Sequence, residues 1–93
     1  VIRYFDPGAT VTLHRRRVLL ATATVVEHTD DSDQVWTNVE QWLRLTITEA
    51  YDPRIRVGPM TLRRDAREMG DNGWQPRSHQ QIGRVRVSRV ANP

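Results

Sequence analysis

The sequence predicts an α+β domain: a small antiparallel sheet of four to five strands, twisted or closed partly into a barrel, with two short helices on one side. Three observations lead there. Thr10–His14 and Leu43–Glu49 alternate apolar and polar side chains with the period of half-buried strands. Val35, Val39, Trp42 and Leu43 recur at helical spacing. The chain has 93 residues, 38% hydrophobic and 27% charged, enough for one core and too few for two, so residues 1–93 are read as a single domain.

In chain order, Tyr4-Phe5-Asp6-Pro7-Gly8 is a lead-in with a turn, and Val11 and Leu13 mark the inner face of the first strand. Arg17–His28 is rich in Val, Thr and small residues but lacks clean alternation, which fits a central or strongly bent strand. Asp31 and Gln34 have capping-box spacing, and the acids of 29–33 suit the positive end of a helix running from Asp31 to about Trp42, with Trp42 in the core. A competing reading makes Gln34–Thr37 a strand end. Leu43, Leu45 and Ile47 then face inward along the clearest strand, Tyr51-Asp52-Pro53 turns, and Arg54–Val57 alternates until Gly58-Pro59. A second helix spans Thr61–Met69, with Thr61 as N-cap, Leu62, Ala66 and Met69 on one face and Gly70 as the C′ glycine. Val85 and Val87 opposite Arg84, Arg86 and Ser88 close the chain as an extended segment.

Composition narrows function further. There is no cysteine, which removes disulfides, thiol catalysis and zinc knuckles. No apolar run reaches the roughly 20 residues of a membrane span, and no basic-then-apolar leader is present, so the expected location is the cytoplasm or a virion, with no membrane partner. His28, Asp30, Asp31 and Asp33 lie close together, but their spacing matches no metal loop and suits a helix cap, so no metal or other cofactor is expected. Ser78 and His79, being adjacent, point to opposite faces of an extended chain, and no GxSxG, HExxH or phosphate-cradling loop occurs. No set of residues fills the roles of a reaction, and the chain is read as not being an enzyme.

The net charge of +3 conceals three blocks. Residues 1–26 hold four Arg and one Asp (+3), residues 27–53 seven acids and one Arg (−6), and residues 54–93 nine Arg and three acids (+6). Every cation is Arg, whose planar fork pairs carboxylate or phosphate bidentately. Such blocks either neutralise one another within the fold or present patches that meet another molecule. The second option sets Asp30, Asp31, Asp33 and Glu40 against Arg54, Arg56, Arg84 and Arg86 in contacts between copies or with another protein, with Trp36 and Trp74 as half-exposed anchors. A different class of function, a small nucleic-acid-binding regulator, would use Arg15, Arg16, Arg17, Arg63, Arg64 and Arg67 on phosphates, although no aromatic platform is interleaved with them. A third is an inhibitor that docks on another protein through Trp36 or Trp74.

Val11-Thr12-Leu13-His14-Arg15-Arg16, the acidic Thr29-Asp30-Asp31 turn and Val35-Trp36-Thr37-Asn38-Val39-Glu40-Gln41-Trp42 together resemble the opening of small head-tail joining proteins of tailed bacteriophages. The resemblance covers the first half of the chain, and its second Trp arrives one residue early. It implies a β-rich virion-assembly subunit that forms a ring between portal and tail, a heterologous contact for which an acidic middle and a basic tail would supply the two faces.

Overall fold

In a computed structural model, residues 5–30, 40–65, 73–76 and 82–90 are described, the side chain of Asp30 excepted. Among these residues the chain forms six strands: β1 (Thr10–Arg15), β2 (Val18–Asp30), β3 (Glu40–Ala50), β4 (Gly58–Asp65), β5 (Gln75–Pro76) and β6 (Arg86–Arg89). They make one antiparallel sheet in the order β5-β4-β3-β2-β1-β6. The sheet curls into a half-barrel whose two edges touch where Val85 N–H donates to the Trp74 carbonyl, 2.8 Å.

Alternation explains which face is concave. Leu43, Leu45 and Ile47 of β3 are buried, as are Val11 and Leu13 of β1 and Val87 of β6, while Arg44, Thr46 and Thr48 face solvent. Each such aliphatic side chain removed from water is worth about 1.5–3 kcal/mol. The β2 run shows no simple period because two extra residues, Leu20 in its pairing with β1 and Val26 in its pairing with β3, reset the faces. Ala21, Ala23 and Val25 stay inside, and Val26, which has no partner in that register, turns outward.

The α+β expectation is overturned: the described residues contain no α-helix. Thr61–Asp65, read as the start of the second helix, is the end of β4. Met60, Leu62 and Arg64 point inward at every second residue, and pairing with β3 from Gly58↔Ile47 to Asp65↔Glu40 outweighs local helical preference. The inward Arg64 hid that period. Residues 66–70 of that helix and 31–39 of the first lie outside the described residues, and the predicted end of the first, Glu40–Trp42, belongs to β3. Trp42 is accordingly half-buried on the outer face, between inward Gln41 and Leu43. Arg54–Val57 is loop, with Ile55 tucked into the core.

One end of the interior is closed by an aromatic and cationic group. Trp74 is fully buried, packed edge-on against His28 (5.7 Å between centroids) and Phe5 (6.5 Å). Arg64 lies 4.4 Å over the Trp74 ring, and its Nε donates to Gln41 Oε1 at 2.7 Å. The Phe5 amide donates to His28 Nδ1 at 3.0 Å, tying the lead-in to β2. Desolvated cation–π contacts of this kind contribute about 2 kcal/mol, and the hydrogen bond to Gln41 satisfies part of a guanidinium whose burial would otherwise be costly.

Trp74 both fills this end and places the carbonyl that joins the sheet edges. Trp74→Ala is expected to lower the unfolding free energy by about 3–5 kcal/mol in urea titrations. A loss under about 1 kcal/mol would show that this end of the core is dispensable.

Candidate functional site

Connections between antiparallel neighbours emerge at alternate ends of a sheet. The β1–β2 turn and the β3–β4 loop therefore share one end, and their contact is direct: Tyr51 and Asp52 amides both donate to the Leu20 carbonyl, at 2.8 and 3.2 Å. The turn carries Arg15, Arg16 and Arg17, the loop Arg54 and Arg56, and all five are exposed. The segment entering β6 joins them, since a Cβ built on Gly83 would sit 4.0 Å from the Arg15 guanidinium, and the neighbouring Arg84 is exposed. Among the described residues, Asp52 and Glu49 are the carboxylates at this end. Arg86 stands opposite His14, farther along the wall of the sheet.

The same end is apolar. Val18 (62% exposed), Leu19 (39%), Tyr51 (53%) and Val57 (67%) are four of the six large hydrophobic side chains that face solvent among the described residues. Such a mixture of Arg with aliphatic and aromatic surface is characteristic of protein contacts.

Asp52 is clamped. It accepts from Arg54 Nε (2.9 Å), Arg54 Nη2 (2.7 Å) and the Arg54 amide (2.8 Å). Hydrogen bonding by the Arg54 side chain, then by its amide, holds the Asp52 carboxyl down at about 2, with a smaller contribution from the charge of Arg15. Tyr51 Oη donates to Glu49, and that bond raises the phenol above its usual range. Both carboxylates at this end are thereby engaged by loop neighbours. Among the described residues Arg15, Arg16, Arg17 and Arg56 make no ion pair.

The opposite end gathers carboxylates. Asp30 ends β2, Glu40 begins β3, and Asp65, paired in register with Glu40, ends β4. Glu27 lies one step in, bonded to Arg44 at 3.2 Å, and Glu40 meets Arg63 at 3.3 Å. Both pairs are exposed and worth at most about 1 kcal/mol each. Asp6, Val90 and Arg89 line a shallow cavity of about 210 Å³ at this end, and Val90 and, outside the cavity, Val26 are exposed apolar residues.

The structure thus assembles Arg54, Arg56 and Arg84 with the Arg15–Arg17 turn at one end, and places Asp30 and Glu40 at the other. Trp74 is in the core instead of at the surface. Of the six arginines expected on phosphate, Arg15, Arg16 and Arg17 are together, Arg63 is on the far side with Glu40, and Arg64 is buried. Asp31, Asp33, Trp36, Arg67, Ser78 and His79 lie outside the described residues. Sequence reasoning missed Val18, Tyr51 and Val57, whose exposure depends on two connections sharing an end.

No group of three or more metal-ligating side chains occurs among the described residues, and no described helix is long and apolar enough to cross a membrane. Searches against family models, curated proteins and solved structures return no match to this chain.

Because the folded Asp52 pKa lies below its ordinary value, the clamp is complete above about pH 4 and releases as pH falls through about 2. Titration followed by carboxyl carbon chemical shifts should place Asp52 near 2, and Arg54→Ala should return it towards the ordinary carboxylate value. An Asp52 that titrates normally in the parent chain would remove the clamp.

Proposed function

We propose that this chain is a non-enzymatic assembly module that docks head-to-tail on further copies of itself, its Arg-rich end against the carboxylate-bearing end of the next. The observation that carries the reading is the gathering of exposed arginines at one end of the sheet while Asp30, Glu40 and Asp65 stand at the strand ends of the other, with exposed apolar residues at both. Arg15, Arg16, Arg17, Arg54, Arg56 and Arg84 form one face, and Asp30, Glu40 and Asp65 mark the other.

A contact between two different patches is heterologous, and its rotation decides whether copies close into a ring or extend as a filament. The resemblance of 11–42 to head-tail joining proteins supports the ring, in which this chain would be a virion-assembly subunit. A nucleic-acid reading is favoured by one observation, the three consecutive exposed arginines of the β1–β2 turn. It loses Arg63 to Glu40 and Arg64 to the core.

Two variants test the assembly reading. Arg15→Glu/Arg16→Glu disables one end, and Asp30→Arg/Glu40→Arg the other. In sedimentation at 50 mM salt the parent chain should form oligomers that weaken at 300 mM. Each variant alone should remain monomeric, and their equimolar mixture should give dimers and nothing larger. A parent chain that is monomeric at every concentration, or variants that still oligomerise alone, would contradict the proposal. Binding of a 20-base-pair duplex by the parent, falling steeply with salt, would favour the second reading.

A further inference from the structure

The β1–β2 connection is a two-residue turn, because Arg15 pairs with Val18 and only Arg16 and Arg17 lie between. Arg16 has φ 57, and it is the only residue other than glycine with positive φ among the described residues. Two-residue hairpins favour Gly, Asn or Asp at such positions, since a longer side chain in the left-handed region costs about 1 kcal/mol. An arginine therefore occupies a position where it weakens the fold, and its exposed side chain makes no ion pair among the described residues.

Arg15 and Arg16 line a shallow cavity of about 250 Å³, completed by Val18 and Leu20 and by the Asp52–Arg54 clamp. The two arginines bring charge, the aliphatic side chains give the cavity an apolar part, and Arg54 holds Asp52 so that this carboxylate is occupied by its loop neighbour. The geometry points to a subsite for one acidic side chain of a polypeptide, held by the Arg15 and Arg16 guanidiniums while an adjacent aliphatic residue packs on the exposed Val18. Phosphate backbones offer nothing to the apolar part, which is why a protein carboxylate fits better. This deepens the assembly reading, resting on its choice of this end as the docking surface, and assigns Arg16 as the specificity-determining residue at that end.

The test uses the full chain, its Arg16→Asn variant and two peptide probes, acetyl-Leu-Asp-Glu-Leu-amide and its neutral counterpart acetyl-Leu-Asn-Gln-Leu-amide. In NMR titrations at 50 mM salt the acidic peptide should shift the Arg15 and Arg16 Nε–Hε signals and the Val18 methyls, and the neutral one should not. Arg16→Asn should weaken the acidic peptide by about tenfold, the loss of one charge-assisted contact. The same substitution should raise Tm by about 2–6 °C, because Asn accepts the left-handed conformation more readily. Opposite signs in binding and stability distinguish a binding role from a structural one.

Equal binding of both peptides, an unchanged affinity in Arg16→Asn, or a lowered Tm would each overturn the inference. So would tighter binding of inorganic phosphate or of a duplex than of the acidic peptide. If the parent oligomerises but the acidic peptide does not bind, the subsite fails and the assembly reading survives. If the peptide binds to a chain that never self-associates, the subsite stands and the partner is a different acidic protein.

Discussion

A sheet this narrow keeps a dry interior only if it curls until its edges meet, and among the described residues they meet through one main-chain hydrogen bond, Val85 N–H to the Trp74 carbonyl. The described outer strands are short, with two residues in β5 and four in β6. The Trp74 side chain reinforces the junction from inside, with Phe5, His28 and Arg64 packed around its ring. Residues from the lead-in, β2, β3, β4 and the segment before β5 are thereby fixed to one another. Curvature, core and the relative placement of the loops all follow from that junction.

The strand order gives the charge blocks their meaning. Five strands follow one another as neighbours, so the first and third connections emerge on one side and the second on the other. The first and third carry Arg15, Arg16, Arg17, Arg54 and Arg56, and the second runs from Asp30 to Glu40 through Asp31 and Asp33. Among the described residues, the arginines of the first and third connections thereby gather at one end, and the strand ends Asp30 and Glu40 lie at the other. Ion pairs such as Arg44–Glu27 and Arg63–Glu40 form locally between neighbouring strands, and none joins the two ends among the described residues.

Much of the sheet is legible in the sequence, because Val11/Leu13, Leu43/Leu45/Ile47 and Val85/Val87 obey the two-residue period of a half-buried strand. The errors have local causes. Gln41 and Arg64 face inward as a hydrogen-bonded pair, so a polar residue stands where the period calls for an apolar one. That pair hid the start of β3 and the end of β4, and allowed Trp42 and Leu62 to be counted into helical faces. The bulges of β2 blurred its faces in the same way. Of the candidate site, the residue types were visible and their grouping was not. Arg54 and Arg56 looked like strand residues, and nothing local to Arg16 announces a positive φ. Trp74 looked like a surface anchor because it follows turn chemistry, yet the core needs it as the largest side chain at one end.

The central claim is that the two ends of this domain carry opposite electrostatic potential, and paramagnetic relaxation with charged small-molecule probes measures it directly at single residues. At low salt an anionic nitroxide should enhance relaxation at Arg16, Arg17, Arg54 and Arg56 amides above a cationic one. The ratio should reverse at Asp30, Glu40 and Asp65. A ratio that is uniform over the surface, or reversed at the arginine turn, would contradict the account.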